Sequence, residues 1–376
     1  MTNQDSENFR LSVSVMTHPD RMDAALRVQR RLGSHADVRL AVDPWPEGPR
    51  TSLRSAQVAF AQAAGRDSTH HLVLQDDVEV SEGLLDGVQQ AVGVHGDAAL
   101  SYFVEWGSRT AVLARWAALT GVSAVPVINP YMPTVALSLP SALAVRLGDF
   151  LKSEAREGEA DDQAVLRFVR ATETQALVTV PNLVEHLDLP SITGNSGHGA
   201  RRAVSFIGTP PVRLDASVLD VPRQMPFFAW NNGMPLIVDT THDVPATQRP
   251  TLATLLHWGA AESGLQGVFA EAVRAAEAGS RVLDIASEAR LYSAWLIAVA
   301  MGAVQRHEWP ESVASLKSGL DDPAVAAALA TLIPGALRVF VDVDELLRFR
   351  DDLASIVLTG MVWGAENLQV TSSPTG

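Results

Sequence analysis

No cysteine occurs in the 376 residues, so disulfides and thiolate-held metal centres are excluded. Any metal ion must be held by carboxylates, histidines or main-chain oxygens. Basic residues are scarce as well: 29 Lys and Arg face 43 Asp and Glu, leaving a net charge of −14. Nucleic acid and anionic membranes reward clustered Lys and Arg, and no such cluster stands out, which argues against both as broad-surface partners. A small phosphorylated ligand is still compatible, because a few local cations and one metal ion suffice to hold it. Long apolar runs are missing too. The most apolar stretch, Leu291 to Val304, is flanked by Arg290 and Arg306 and falls short of the ~20 residues a spanning helix needs, so a buried helix and no membrane span are expected. Met1 to Arg10 is polar and acidic without an apolar core, unlike a secretory signal, and a cytoplasmic location is expected.

What is present is globular: 47% hydrophobic and 19% charged residues. The length exceeds what one core spans, which predicts two domains. In the first half, strand and helix signals alternate. Leu11–Met16, Val38–Val42 and His71–Gln75 read as strands, Asp20–Leu32 and Ser52–Ala64 as helices, and Ser81 as the cap of a helix reaching Val92. Ala99–Glu105 is a further strand. Val125–Leu139, broken by Pro126, Pro130 and Pro133, suits loops and edge strands. Helices follow over Ser141–Glu154 and Asp162–Val169, then a short strand, Leu177–Val180. This predicts an α/β, Rossmann-like, mostly parallel sheet with helices on both faces, over residues 1–220. Pro222–Pro250 reads as loop. Thr251–Leu358 reads as about five Ala-rich helices, a helical domain over 221–376 able to bind an acceptor or to form a homodimer.

The sharpest chemical feature is Leu72-Val-Leu-Gln-Asp-Asp-Val-Glu79, an apolar strand ending abruptly in carboxylates. Ligands bind at the carboxyl ends of strands in parallel α/β sheets, and hard divalent cations take oxygen ligands. Side-chain alternation puts Gln75 and Asp77 on one side and Asp76 on the other. A solvated acidic turn is an equal alternative for the motif alone. Three features tip that balance. Thr17-His-Pro-Asp-Arg21 follows the first strand, where Arg21 can reach a phosphate, although Asp20 and Arg21 also suit a plain helix start. Ala160-Asp-Asp-Gln163 opens a helix, where acids favour the dipole but one can also serve as general base. Pro181-Asn-Leu-Val-Glu-His186 closes a strand before the Gly/Ser-rich stretch Ser191–Gly199, a place where His186 can complete a metal shell and the loop can fold over a diphosphate. Arg201 and Arg202 beyond it can neutralise phosphate or stay solvated.

These segments, in this order and together with Thr51-Ser-Leu-Arg54, resemble the GT-A glycosyltransferases, in particular the bacterial branch similar to family 25 with its strand-ending EDD or QDD signature. The resemblance spans roughly Leu11 to Asn195. It implies a metal-dependent, hexosyltransferase-like enzyme that moves a sugar from a nucleotide-diphosphate sugar, by default a UDP-sugar, to an acceptor hydroxyl with inversion. It implies Asp77 and His186 as ligands of Mn²⁺ or Mg²⁺, and Asp162 as the base with Asp161 as competitor. Thr17, Arg21, Arg54, Gln75 and Asp76 are implied as donor contacts. Gln75 stands where an acid is usual and removes one charge from the site, which leaves a degenerate, non-catalytic scaffold as the alternative. A nucleotidyltransferase would carry a Gly-rich loop after the first strand, and Thr17-His-Pro-Asp-Arg21 has no glycine. Trp258, Trp295, Trp309 and Trp363 are expected to pack in the helical core, and Trp230-Asn-Asn-Gly233 to form a turn.

Overall fold

The computed structural model describes residues 9–33, 37–156, 158–192, 194–209, 214–229, 232–240, 248–277, 281–317 and 319–371. Most of the N-terminal stretch Met1–Arg10, and Trp230 and Asn231 of the expected turn, lie outside these residues. The chain forms two compact units. The first comprises residues 1–104, 123–196 and 206–218, the second 105–122, 197–205 and 219–376. The main segment of the second unit begins at Leu219, and residues 105–122 and 197–205 join it.

In chain order the elements are β1 (Leu11–Thr17), a 3-10 turn (Pro19–Arg21), α1 (Met22–Leu32), β2 (Asp37–Val42), α2 (Leu53–Ala61), β3 (His70–Gln75), β4 (Val78–Val80), α3 (Leu84–Val94) and β5 (Ala99–Ser101). Then come α4 (Arg109–Thr120), which belongs to the second unit, β6 (Ala124–Pro126), β7 (Ala136–Pro140), α5 (Ser141–Ser153), α6 (Asp161–Ala171), β8 (Ala176–Thr179) and β9 (Val184–His186). The seven-stranded sheet of the first unit has the order β2-β1-β3-β7-β5-β8-β6. Strands β1, β2, β3, β5 and β8 share one direction, and β7 and β6 run against them. The α/β class and the mostly parallel sheet agree with expectation. One placement differs: β7 is an inner strand between β3 and β5, where the proline-broken stretch suggested an edge. The prolines flank β7 and leave its central hydrogen bonds intact. Ser81 caps nothing: it directly follows β4, its hydroxyl has no hydrogen-bond partner, and Gly83, at φ +69°, opens α3.

On α1 the apolar residues Ala24, Ala25, Val28 and Leu32 form one buried stripe, while Arg27, Arg30 and Arg31 face outward. Helices α2, α5 and α6 share a core with the sheet, in which Phe60, Leu147, Val165 and Phe168 meet Met16, Val73, Leu137 and Leu139. Gly148 lets α5 close on α2, since a Cβ there would lie 2.8 Å from the Ala61 nitrogen. β1 is buried on both faces although it carries two serines, because each has a partner. Ser14 donates to Gln62 Oε1 (2.7 Å), and Ser12 lies 2.7 Å from His71 Nδ1. His71 Nε2 meets the Ala59 carbonyl at 2.9 Å, an acceptor only, so Nε2 carries the proton and Nδ1 accepts from Ser12. Ser68 and Ser141 continue that chain of hydroxyls, each step 2.9 Å.

The second unit adds β10 (Gln224–Phe228), β11 (Pro235–Asp239) and β12 (Gln248–Pro250), an antiparallel three-stranded sheet where only loop was expected. Eight helices follow among the described residues, more than the five foreseen: α7 (Thr251–His257), α8 (Glu262–Glu277), α9 (Glu288–Glu308), α10 (Val313–Lys317), α11 (Pro323–Ala330), α12 (Leu332–Leu337), α13 (Val343–Arg348) and α14 (Arg350–Asn367). The apolar run Leu291–Val304 is the buried middle of α9, and no helix among the described residues is long and apolar enough to cross a membrane. Helices α9 and α14 approach to backbone contact: a Cβ on Gly302 would run into the Met361 carbonyl, and one on Gly364 into that of Val299. Trp258 and Trp295 are buried and Trp309 and Trp363 half-buried, with the Trp116 and Trp309 rings 5.5 Å apart. Arg115 is buried in this unit. Its side chain donates to the carbonyls of Trp106 (2.7 Å), Ala328 (3.1 Å) and Thr331 (2.9 Å).

Burial pushes the His71 imidazole down to about 4; the Ala59 carbonyl opposes this, and Arg66 and Arg39 add to it. The unfolded chain therefore binds a proton between pH 6.5 and 4 that the folded chain refuses, and the stability present above pH 6.5 is lost as pH falls through this window. Between pH 7 and 5 the loss from this group is about 2 kcal/mol. Denaturant titrations at the two pH values should show that difference in the natural chain and a flatter profile in His71→Gln, whose amide can still bridge Ser12 and Ala59.

Candidate functional site

The ends of β1 and β3 lie side by side because the strands pair in parallel, with Met16 opposite Gln75. Thr17 and Asp76 therefore leave the sheet together, and the Thr17 hydroxyl donates to Asp76 Oδ2 at 2.6 Å. The chain bends at Asp76 and Asp77 before resuming as β4, which corrects the expected alternation: both carboxylates turn to one cation. Arg21, delivered by the 3-10 turn after β1, donates from Nη1 to Asp76 Oδ1 at 3.2 Å and to Asp77 Oδ2 at 2.8 Å. Its Nη2 donates to the Pro190 carbonyl. Both carboxylates are buried, 6% exposed each, so the pairing takes place in a weakly screened setting.

His186 arrives by pairing of the backbone. β4 and β9 run antiparallel with Val78 opposite His186, and the Leu187 N–H donates to the Asp77 carbonyl at 2.7 Å. This brings His186 Nε2 to 3.6 Å from Asp77 Oδ2, with Nδ1 3.9 Å from Asp188 Oδ1. The imidazole is buried beside the Phe103 ring at a centroid distance of 6.1 Å. Burial is the main influence on Asp76. It raises the carboxyl above its ordinary value with help from the Asp77 charge, while the Thr17 hydroxyl and Arg21 pull the other way.

Gln75 is half-buried, and its N–H donates to the Val135 carbonyl at 2.9 Å. Next along the chain, the Thr134 hydroxyl donates to Asp161 Oδ2 at 3.1 Å, and the Ser52 hydroxyl reaches the other oxygen of Asp161 at 2.5 Å. Asp161 is thus held by two hydroxyls, which ties the α2 and α6 starts to the chain beside Gln75. Asp162, next to it, is half-buried, and its carbonyl accepts from the Met132 N–H at 3.0 Å. Arg54 is engaged within the protein: Nε and Nη2 grip Asp43 at 2.8 and 2.7 Å, and Nη1 donates to the Pro49 carbonyl at 2.8 Å. Arg201 and Arg202 belong to the second unit, where the Arg202 carbonyl accepts from the Trp106 N–H. Asn195–His198 forms a 3-10 turn, and Thr193 of that stretch lies outside the described residues.

No protein-family model matches the chain, and no curated protein matches it either. The site thus rests on its own chemistry. Two residues in it escape the sequence reading. Asp43 ends β2 as Asp76 ends β3, and its N–H donates to the Thr17 carbonyl at 2.9 Å, so the strand-end logic applied to Asp76 would have found it. Burial opposes its ionisation, but the Arg54 hydrogen bonds, the Trp45 N–H and the Arg54 charge outweigh this and hold the carboxyl below its ordinary range. Trp45 is 57% exposed. Its ring rests on Gly48, where a Cβ would come within 2.6 Å of the indole, and the Arg54 guanidinium lies 5.6 Å from its centroid.

Asp77 and His186 suit a divalent cation in one respect: Asp77 Oδ1 is buried and has no hydrogen-bond partner. The protein's own donor set is small, since no group of three or more acids and histidines among the described residues has metal-holding geometry. Further ligands would be phosphate oxygens and water, the usual habit of Mg²⁺. Arg21 already supplies the positive charge that Asp76 and Asp77 require. Arg21→Gln should therefore cost about 3 kcal/mol of unfolding free energy, because it leaves buried carboxylates uncompensated. Arg21→Lys should recover only part of it, lacking the planar fork. Denaturant titration of the three proteins checks both.

Proposed function

We propose that the protein is a glycosyltransferase that uses a nucleotide-diphosphate sugar and a divalent cation, built on a GT-A-type sheet. The supporting observation is convergence. Thr17, Arg21, Asp76, Asp77 and His186 come from three separate stretches of chain and meet at the carboxyl ends of β1 and β3. Asp43, Arg54 and Trp45 stand at the neighbouring end of β2. This is the sheet edge where α/β proteins bind nucleotides.

The residues divide the work. Asp77 and His186 would hold Mn²⁺ or Mg²⁺, which when bound neutralises the charge growing on the diphosphate leaving group. Arg21 is close enough to the same carboxylates to trade them for phosphate oxygens, since a guanidinium binds both in a planar fork. Trp45 offers an exposed ring for stacking a nucleobase or sugar. Asp162 is the base for the acceptor hydroxyl; Asp161, gripped by Ser52 and Thr134, positions the helix start that carries it. A base on the face opposite the leaving group inverts the anomeric centre. The donor is by default a UDP-sugar.

A second reading, a sugar-nucleotide-binding protein without transfer, is favoured by Arg21 sitting across Asp76 and Asp77 and by Gln75 in place of an acid. Divalent-cation-dependent release of free sugar or transfer to acceptor separates the two.

Asp162→Asn should lower transfer by about 10²–10⁴-fold while UDP-sugar still raises the melting temperature in Mn²⁺. Normal transfer by that variant removes Asp162 from the role. Trp45→Ala should weaken UDP binding by about tenfold, the scale of one lost base stack, with the melting temperature of the free protein unchanged. Calorimetric titration with UDP and Mn²⁺ reads this directly.

A further inference from the structure

A second feature of the first unit is unrelated to the nucleotide edge. A cavity of about 550 Å³ opens between the outer side of α1 and the β4–β9 pair. Its floor is apolar, made by Val28, Val78, Val80 and Leu187, and one wall is the row Arg27, Arg30 and Arg31. The spacing i, i+3, i+4 places the three guanidinium groups within about one helical turn of one another. Each is exposed, and none is ion-paired with a described residue, although the chain carries a net charge of −14. Glu79, also exposed, is the one acid on the lining, leaving three cations against one carboxylate. The run Arg27-Val-Gln-Arg-Arg31 is the basic cluster that the composition hides. Basic residues in a last helical turn favour the dipole, but that effect calls for no adjoining cavity with an apolar floor.

We propose that this groove binds a soluble anionic amphiphile: an apolar segment on the valines and Leu187, with phosphate or carboxylate groups on the arginines. The groove is shallow, and its exposed lining is mainly apolar, so it suits a short apolar segment laid along it. A bilayer is the poorer occupant, because the cationic surface is one helical turn wide on a strongly acidic protein, and a membrane would meet the remaining negative charge as well.

The probe is decyl phosphate below its micelle-forming concentration, titrated calorimetrically into the full chain without donor or metal. One saturable site is expected, weakened at least about tenfold in R27Q/R30Q/R31Q, with charge-assisted hydrogen bonds lost and the fold kept because all three side chains are exposed. R274Q/R348Q/R350Q, which removes as many exposed arginines elsewhere, should bind as the natural chain does. Decanol and inorganic phosphate should each bind at least tenfold more weakly than the joined molecule. Equal affinity in R27Q/R30Q/R31Q overturns the groove, and equal affinity for inorganic phosphate overturns the apolar half of the site. Co-sedimentation with phosphatidylglycerol vesicles that depends on the same arginines overturns the soluble ligand in favour of a membrane.

Discussion

Two carboxylates lie buried side by side at the end of β3, and one guanidinium, that of Arg21, pairs with both. Much of the first unit's chemistry follows from this pairing. Arg21 must come from the turn after β1, so β1 and β3 must be parallel neighbours. Thr17 then falls beside Asp76 and donates its hydroxyl. Arg21 also anchors the chain after β9 through the Pro190 carbonyl, so the segment that carries His186 is tied to the same cation. A buried ion group of this kind adds little net stability, because the desolvation of three charges offsets their attraction. What it provides is arrangement: charge of both signs, pre-oriented at a strand end.

The same principle is repeated one strand over. Asp43 and Arg54 form a bidentate pair at the end of β2, capped by the indole of Trp45. Both pairs keep a guanidinium in place over a carboxylate, and both stand where the sheet's strands end. Asp161 is handled differently. It is satisfied by neutral hydroxyls from two other segments, Ser52 and Thr134. That suits a residue that fixes the start of a helix.

How much was legible in the sequence depended on whether a signal was local. β1 and β3 are short strands rich in Val and Leu and bounded by turns, and they were readable to within a residue. The buried helix around Leu291–Val304 was readable for the same reason. α4 was missed because nearly every residue in it is buried, leaving no polar face to mark a helical period. β10 was missed because Pro226 stands in its middle; as an outer strand of its small sheet, it spares a proline the hydrogen bond it cannot make. In the site, the residue types and strand-end positions of Thr17, Arg21, Asp76 and Asp77 were visible, but their pairing was not, since it depends on which strands are neighbours. Arg54 shows the limit well: its partner is Asp43, a short-range contact that a search for ligand-binding cations did not consider.

The β4–β9 pairing has an implication for how this chain can vary in length. His186 reaches Asp77 because three residue pairs are in register, held by main-chain hydrogen bonds that do not depend on side-chain identity. Slack can therefore accumulate in the long excursion between the two strands, anywhere the path returns β9 to the same alignment. A slip of a single residue within β9 cannot be absorbed, because it rotates the imidazole to the opposite face of a ribbon only three residues long.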